Sequence, residues 1–141
     1  MRVALVGCAS QKLKREAPAR ELYISTLFKK ASAYAEREAD HWFILSAKHG
    51  LVHPDQMLEP YNMKLGTKEA GPIHAWGKRV RFQLNEWVDA PAIEELLLLA
   101  GSQYDVAGGT PSDPVPWTVV DPMKGMMIGQ RLQFLTNALN N

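Results

Sequence analysis

The sequence predicts an α/β fold, in which residues 1–141 form a single domain built on a largely parallel sheet of about four strands with flanking helices. Apolar runs of strand length alternate along the chain with longer segments whose apolar residues recur at helical spacing. A length of 141 residues suits one compact domain. A hydrophobic share of 46% with four Trp excludes a disordered chain.

The first half of the chain contains two predicted strands with a helix between them. Residues 2–7 are apolar and include β-branched side chains, so we expect a buried strand that ends at a glycine. Apolar residues at helical spacing predict a helix over residues 20–38, and residues 42–45 form a second strand-length run. The next segment has no clear periodicity and is predicted to be a loop, which carries Lys48, Gly50, Pro54 and Pro60.

The second half of the chain repeats this alternation. One apolar face predicts a helix over residues 73–88. Residues 94–99 fit either a short helix or a strand, and the glycine that follows closely favours the strand. Residues 117–120 are a further strand, and apolar spacing over residues 128–139 predicts a closing amphipathic helix.

The composition excludes several classes of protein. No apolar run approaches the ~20 residues that a membrane-spanning helix needs, and the opening segment lacks the apolar core and cleavage site of a signal peptide. The single cysteine, Cys8, excludes an intrachain disulfide and a zinc site made of several thiolates. The four His include no pair on one helical face. We therefore expect a cytoplasmic protein with no membrane partner, no metal and no other cofactor.

The formal net charge is +1, but the charges are unevenly distributed. Between Phe82 and Met123 every charged residue is acidic, whereas basic residues are frequent in the first part of the chain. Such a distribution permits a local positive field and an anionic partner. Three basic residues lie on the polar side of the helix over residues 73–88, where they either contact nucleic-acid phosphates or only keep the helix soluble: Lys78, Arg79 and Arg81.

The residues that follow the predicted strands form the candidate site, because ligands of open α/β sheets bind beyond the carboxyl ends of the strands. Hydroxyl groups, ammonium groups and small residues at these positions suit a polar ligand that is anionic or carries a carbonyl. The phosphate-loop spacing of nucleoside triphosphatases is absent. The candidates in chain order are Cys8, Ser10 and Lys12, then Ser46, Lys48, His49 and Gly50, then Gly101 and Tyr104.

Two interpretations stay open for each chemically active candidate. Cys8 is either a nucleophile activated by a nearby lysine or a small buried hydrophobic residue. Lys48 and His49 either bind an anion or transfer a proton, or they are an exposed ammonium and a structural imidazole. Glu59, next to Tyr61 and Asn62, either orients a base edge or stabilises a cationic transition state, or it lies in water while the tyrosine packs on the domain.

Several segments resemble a known family. Residues 46–52 and 59–66 resemble the signature of the YaaA-like superfamily of peroxide-stress proteins, and residues 8–12 and 22–28 resemble the opening of small stand-alone bacterial and phage relatives. The Cys-x3-Lys pattern, followed by Tyr and Ser, is also similar to the core motif of archaeosine synthase, which modifies a deazaguanine base in transfer RNA. In that motif Pro-Tyr follows the lysine directly, whereas ten residues separate Lys12 from Tyr23 here.

The resemblance implies a role connected with nucleic acids, because YaaA-like proteins are associated with DNA binding and protection from oxidative damage, and the synthase acts on a nucleobase. It spans most of the chain, although this chain is much shorter than the peroxide-stress proteins. The positions that match the motifs and carry candidate roles are Cys8, Lys12, Tyr23, Ser25, Ser46, Lys48, Gly50 and Tyr61.

Two hypotheses of function follow. In the first, the protein is an enzyme that cleaves or exchanges a glycosidic bond or modifies a nucleobase, with a nucleotide, a nucleobase or a nucleic acid as its partner. Its predicted catalytic residues are Lys12, Lys48, Glu59 and Cys8, and its predicted substrate-binding residues are Ser10, Tyr23, Ser25, Ser46, His49, Gly50, Tyr61, Asn62, Gly101 and Tyr104. In the second, it is a non-catalytic DNA- or RNA-binding stress or phage protein that uses Lys78, Arg79 and Arg81. The oligomeric state stays open.

Overall fold

A five-stranded, mostly parallel sheet organises the chain in a computed structural model that describes residues 1–8, 11–111 and 113–141. The strand order is β4-β3-β1-β6-β7, and a separate two-stranded ribbon pairs β2 with β5. The strands are β1 (Arg2–Gly7), β2 (Ala17–Pro18), β3 (His41–Ser46), β4 (Gly50–Val52), β5 (Met57–Leu58), β6 (Glu95–Leu99) and β7 (Thr118–Val120).

The central strand β1 pairs in parallel with both of its neighbours. Leu5 lies opposite Phe43 of β3 and opposite Leu98 of β6, and β7 extends the parallel arrangement beyond β6. The predicted α/β class, the parallel sheet and its four strands are thus confirmed. The prediction of a loop after β3 is wrong in part, because Gly50–Val52 returns as an antiparallel fifth strand. All its residues are buried, so this short strand has no apolar–polar alternation to reveal it.

In the part of the chain that the structure describes, four α-helices flank the sheet, together with two 3-10 helices. They are α1 (Ala19–Leu22), α2 (Thr26–Glu38), α3 (Ile73–Leu84) and α4 (Ile128–Leu139), and the 3-10 helices span Ala90–Ala92 and Ser102–Gly108. The closing helix is confirmed. The helix over residues 73–88 ends earlier than predicted, at Leu84, since the next residues form turns with hydrogen bonds to carbonyls three residues back.

The predicted helix over residues 20–38 is interrupted at Tyr23. The segment after α1 is extended there and pairs with the chain before it, through a bridge between Lys12 and Tyr23. Ser25 then caps α2, because its hydroxyl accepts a hydrogen bond from the backbone N–H of Phe28 at 3.1 Å. Apolar spacing continues across this break, which is why periodicity alone predicted one helix.

Helices cover both faces of the sheet. Since successive strand side chains point to opposite faces, Leu5 of β1 packs in a core cluster with Trp76 and Val80 of α3. Val6 packs in a second cluster with Phe28 of α2 and Leu135 of α4. The central strand is therefore buried on both sides, as is typical of parallel sheets.

The connections create a crevice beside β1. The chain passes from β1 through α1 and α2 to β3 on one side, and then through α3 to β6 on the other side of β1. Strand order reverses at this point, and such reversals are where open α/β sheets bind ligands. Within the described ranges, none of the helices has the length and apolar character to cross a membrane.

Candidate functional site

Three hydroxyl groups form a hydrogen-bonded chain at the carboxyl end of β3. The Tyr61 hydroxyl lies 2.5 Å from the Tyr23 hydroxyl and 2.6 Å from Ser46 Oγ. Ser46 Oγ also accepts a hydrogen bond from the backbone N–H of His49 at 3.1 Å. Tyr23 and Ser46 are fully buried, so this network fixes the Tyr61 ring.

Two ammonium groups and an imidazole lie close to the Tyr61 ring. The Lys12 ammonium lies 4.5 Å from the ring centroid, and the Lys48 ammonium lies 5.7 Å from it. The His49 imidazole meets the ring edge-to-face at 5.1 Å between centroids. Both ammonium groups are within the ~6 Å range of cation–π attraction, so the aromatic face stabilises them together.

Burial changes the proton affinity of the site. Desolvation lowers the pKa of Lys12 below its usual value, and the electrostatic interaction with Cys8 opposes this shift. Desolvation, then the charges of Lys48 and Arg79, lower the pKa of His49. His49 is therefore neutral near neutral pH, and Lys12 gives up its proton more readily than an exposed lysine.

Tyr104 connects the end of β1 to the segment after β6. Its hydroxyl lies 3.8 Å from Cys8 Sγ. Trp76 of α3 contacts both the end of β3 and Tyr104. Its indole N–H donates to the Ser46 carbonyl at 2.9 Å, and its ring lies 5.3 Å from the Tyr104 ring between centroids. Burial raises the pKa of Tyr104, Tyr23 and Tyr61, so all three remain protonated as hydrogen-bonding phenols.

Two cavities adjoin Cys8 and Tyr104, which contribute to the walls of both. The larger cavity, of about 170 Å³, is lined by Cys8, Lys12, Asn62, Met63, Lys64, Leu65, Gln103 and Tyr104. The smaller cavity, of about 80 Å³, lies towards α2 and α4 and includes Ser25, Gly101 and Arg131 in its wall. The switch point of the sheet is thus an open, partly polar crevice.

Most of the predicted site residues come together in this crevice. Each of these residues lines a cavity, belongs to the hydroxyl chain of Tyr23, Tyr61 and Ser46, or contacts the Tyr61 ring. They are Cys8, Lys12, Tyr23, Ser25, Ser46, Lys48, His49, Tyr61, Asn62, Gly101 and Tyr104. Gly50 begins β4 directly after the turn from β3, and its φ of 76° is a conformation that favours glycine. Glu59 is exposed and lines neither cavity. Ser10 lies outside the described residues.

None of the three basic residues of α3 lines either of the two cavities. Arg79 donates to the backbone carbonyl of Lys48 at 2.9 Å, and Arg81 bonds the Val106 carbonyl and the Asp113 carboxylate. Lys78 is exposed on the same helix. Arg79 and Arg81 therefore hold segments of the domain together. This structural role explains both residues without any contact to a nucleic acid.

Sequence reasoning missed several residues of the crevice, among them Gln103, Trp76 and Arg131. Trp76 falls on the apolar face of α3 and reads only as a core residue, although its N–H supports the end of β3. Arg131 lies on the closing helix, far along the chain from Cys8 and Ser25 in the same wall. Among residues 1–8, 11–111 and 113–141, no group of three or more His, Cys, Asp or Glu is placed to hold a metal ion.

Removing the Tyr61 hydroxyl tests the network. We expect Tyr61→Phe to lower the free energy of unfolding by about 1–3 kcal/mol, since it deprives the buried Tyr23 and Ser46 of a partner. Urea denaturation measures the change. Tyr34→Phe is the matched control, because Tyr34 packs its ring against Phe134 and its hydroxyl takes part in none of the described hydrogen bonds. Equal stability of the two variants would contradict the role of the network.

Comparison with known proteins identifies relatives. The chain matches a family of unknown function, DUF6884, over residues 3–137. It is 31% identical over 110 residues to the uncharacterized protein YfjM of Bacillus subtilis. The aligned region covers 73% of this chain and 71% of YfjM. It is also 31% identical over 104 residues to a UPF0246 protein of Francisella philomiragia, and 30% identical over the same length to one of Francisella tularensis.

The two Francisella matches cover 71% of this chain, which spans only 40% of the length of those relatives. These two matches confirm that the chain is related to the YaaA-like proteins. The similarity to archaeosine synthase stays a prediction. Because the family match extends over almost all of the sequence, the chain belongs to the DUF6884 family.

Proposed function

We propose that this protein is an enzyme that acts on a nucleobase in the crevice beside β1. The observation that carries the proposal is the convergence of Lys12, Tyr61 and Ser46 with Cys8 and Tyr104 at the switch point of the sheet. These groups lie at or after the ends of β1, β3, β5 and β6, and a partly desolvated lysine in a crevice is typical of a functional site.

The larger cavity suits a planar heterocycle. Its volume of about 170 Å³ lies below the ~300–1,000 Å³ of pockets for drug-sized ligands, so it favours a single ring system. Met63 and Leu65 supply apolar wall, and the amides of Asn62 and Gln103 can donate to and accept from the edge of a base. This combination of apolar contact and edge hydrogen bonds is how proteins read an unstacked base.

The residues of the crevice divide into those that react with the substrate and those that surround it. Lys12 serves as the base, because desolvation favours its neutral amine. Lys48 supplies a positive charge beside the Tyr61 ring, and His49 contributes an uncharged imidazole that can donate or accept a hydrogen bond. Cys8 faces the ligand from both cavities and is the available nucleophile. The reaction classes that this set supports are cleavage or exchange of a glycosidic bond and modification of the base, and the similarity to the archaeosine synthase motif favours the same classes.

Mass spectrometry tests the proposal. Purified protein is incubated with DNA, RNA or free nucleotides, and the nucleosides and bases are then quantified. We expect a changed profile with wild type and with Lys14→Ala, an exposed neighbouring lysine, and no change with Lys12→Ala. Circular dichroism confirms that both variants fold. Identical profiles for wild type and Lys12→Ala would overturn the proposal.

The alternative is a non-catalytic nucleic-acid-binding protein. The exposed Lys78 favours it, but Arg79 and Arg81 are engaged within the domain. Mobility shifts against salt concentration distinguish the two, because binding to phosphates weakens as salt rises. A salt-sensitive shift without any changed nucleoside would favour the alternative.

A further inference from the structure

The smaller cavity beside Cys8 has features that packing does not explain. It measures about 80 Å³, and its wall includes Gly7, Cys8, Ser25, Gly101, Tyr104 and Arg131. It shares Cys8 and Tyr104 with the larger cavity, so the two cavities are direct neighbours.

Gly101 is the first of these features. Its φ of −67° and ψ of 163° are accessible to every residue, and a Cβ added there would meet no atom within 4 Å. Neither the backbone nor the packing therefore requires glycine. Gly7, in the same wall, is different, because its Cβ would lie 3.0 Å from the Cβ of Ala100. The missing side chain of Gly101 keeps the cavity open and lets a ligand approach the backbone.

Arg131 is the second feature. Its Nε donates to the Met126 carbonyl at 3.0 Å, and its Nη1 donates to the Ala100 carbonyl at 3.2 Å. These bonds fix the guanidinium and use only part of its donors. Among the described wall residues there is no carboxylate. Burial raises the pKa of Asp121, although Arg131 opposes this shift, and Asp121 lies outside the wall.

We propose that this smaller cavity is an anion subsite that takes the phosphate of a nucleotide. The fixed guanidinium and the Ser25 hydroxyl supply charge and hydrogen bonds, and the space at Gly101 admits the phosphate oxygens. The inference rests on the proposed function, because the larger cavity would hold the base of the same molecule. The substrate class is therefore a nucleoside phosphate, not a free base.

Phosphorus NMR with inorganic phosphate tests the subsite alone. We expect wild type to broaden the phosphate resonance, and we expect Gly101→Leu and Arg131→Gln to weaken binding by about tenfold or more. Gly129→Ala is the control, since it also replaces a glycine with open space around it but lies outside the cavity. Absence of broadening with wild type at millimolar phosphate, or equal broadening with all variants, would overturn the subsite.

A second comparison separates this inference from the proposed function. Titration with each common nucleoside monophosphate and with the matching nucleoside, followed by calorimetry, should show tighter binding of at least one phosphorylated form. Gly101→Leu should remove that preference. Equal affinity for the two forms would overturn the subsite while leaving nucleobase chemistry intact. Phosphate binding without any Lys12-dependent product would support the subsite and contradict the proposed function.

Discussion

Replacing Leu5 by alanine is expected to lower the free energy of unfolding by about 2–5 kcal/mol, the range for truncating a buried leucine. Leu5 is fully buried on the central strand and packs under α3 with Trp76. Because natural domains are stable by only about 5–15 kcal/mol, this truncation removes a large share of the stability of the domain. Chemical denaturation monitored by circular dichroism measures it.

Phe82→Ala is the control for the loss of a large apolar side chain. Phe82 is 71% exposed on the outer side of α3, so its truncation should change stability by about 0.5 kcal/mol at most. If the two variants unfolded at the same denaturant concentration, β1 would not be the centre of the core.

The largest effect on activity is expected at Lys12. Product formation should rise with pH through the lowered pKa of Lys12 and then level off, since only the neutral amine can accept a proton. Lys12→Arg should lower the rate by about 100-fold to 10,000-fold, because a guanidinium keeps its proton. The rate of the nucleoside change, measured as a function of pH with wild type and with Lys12→Arg, tests this expectation.

Lys48→Arg provides the comparison, since it keeps the positive charge near Tyr61. We expect this variant to retain most of its activity. Full activity of Lys12→Arg, or a wild-type rate that falls as pH rises through this range, would instead identify Lys12 as a group that holds an anion.

The centre of the sheet was predictable because β1, β3 and β6 are largely apolar and are separated along the chain by helices. Residues 3–6 and 96–99 are buried and give continuous apolar runs. The short strand β4 was not predictable, because Gly50–Val52 is too brief for any periodicity to appear. The break at Tyr23 was hidden for another reason: its cause is a tertiary pairing with Lys12, which local helical spacing cannot encode.

The candidate site was partly predictable from the rule that strand ends converge. That rule correctly brought Cys8 and Lys12 near Ser46 and Tyr104. It did not include Trp76 or Arg131, whose places depend on how α3 and α4 pack over the sheet. It also could not show that Glu59 remains exposed while Tyr61, two residues later, reaches the network.

The position of β1 also affects how the domain folds. Its two partners, β3 and β6, lie far along the chain, and Arg2 pairs opposite Glu95. Distant pairings require the closure of long loops before they stabilise the chain, and this slows folding in comparison with domains whose contacts are local. Until β6 is in place, the apolar edge of β1 is open to other chains, so partly folded molecules are the ones most prone to aggregate.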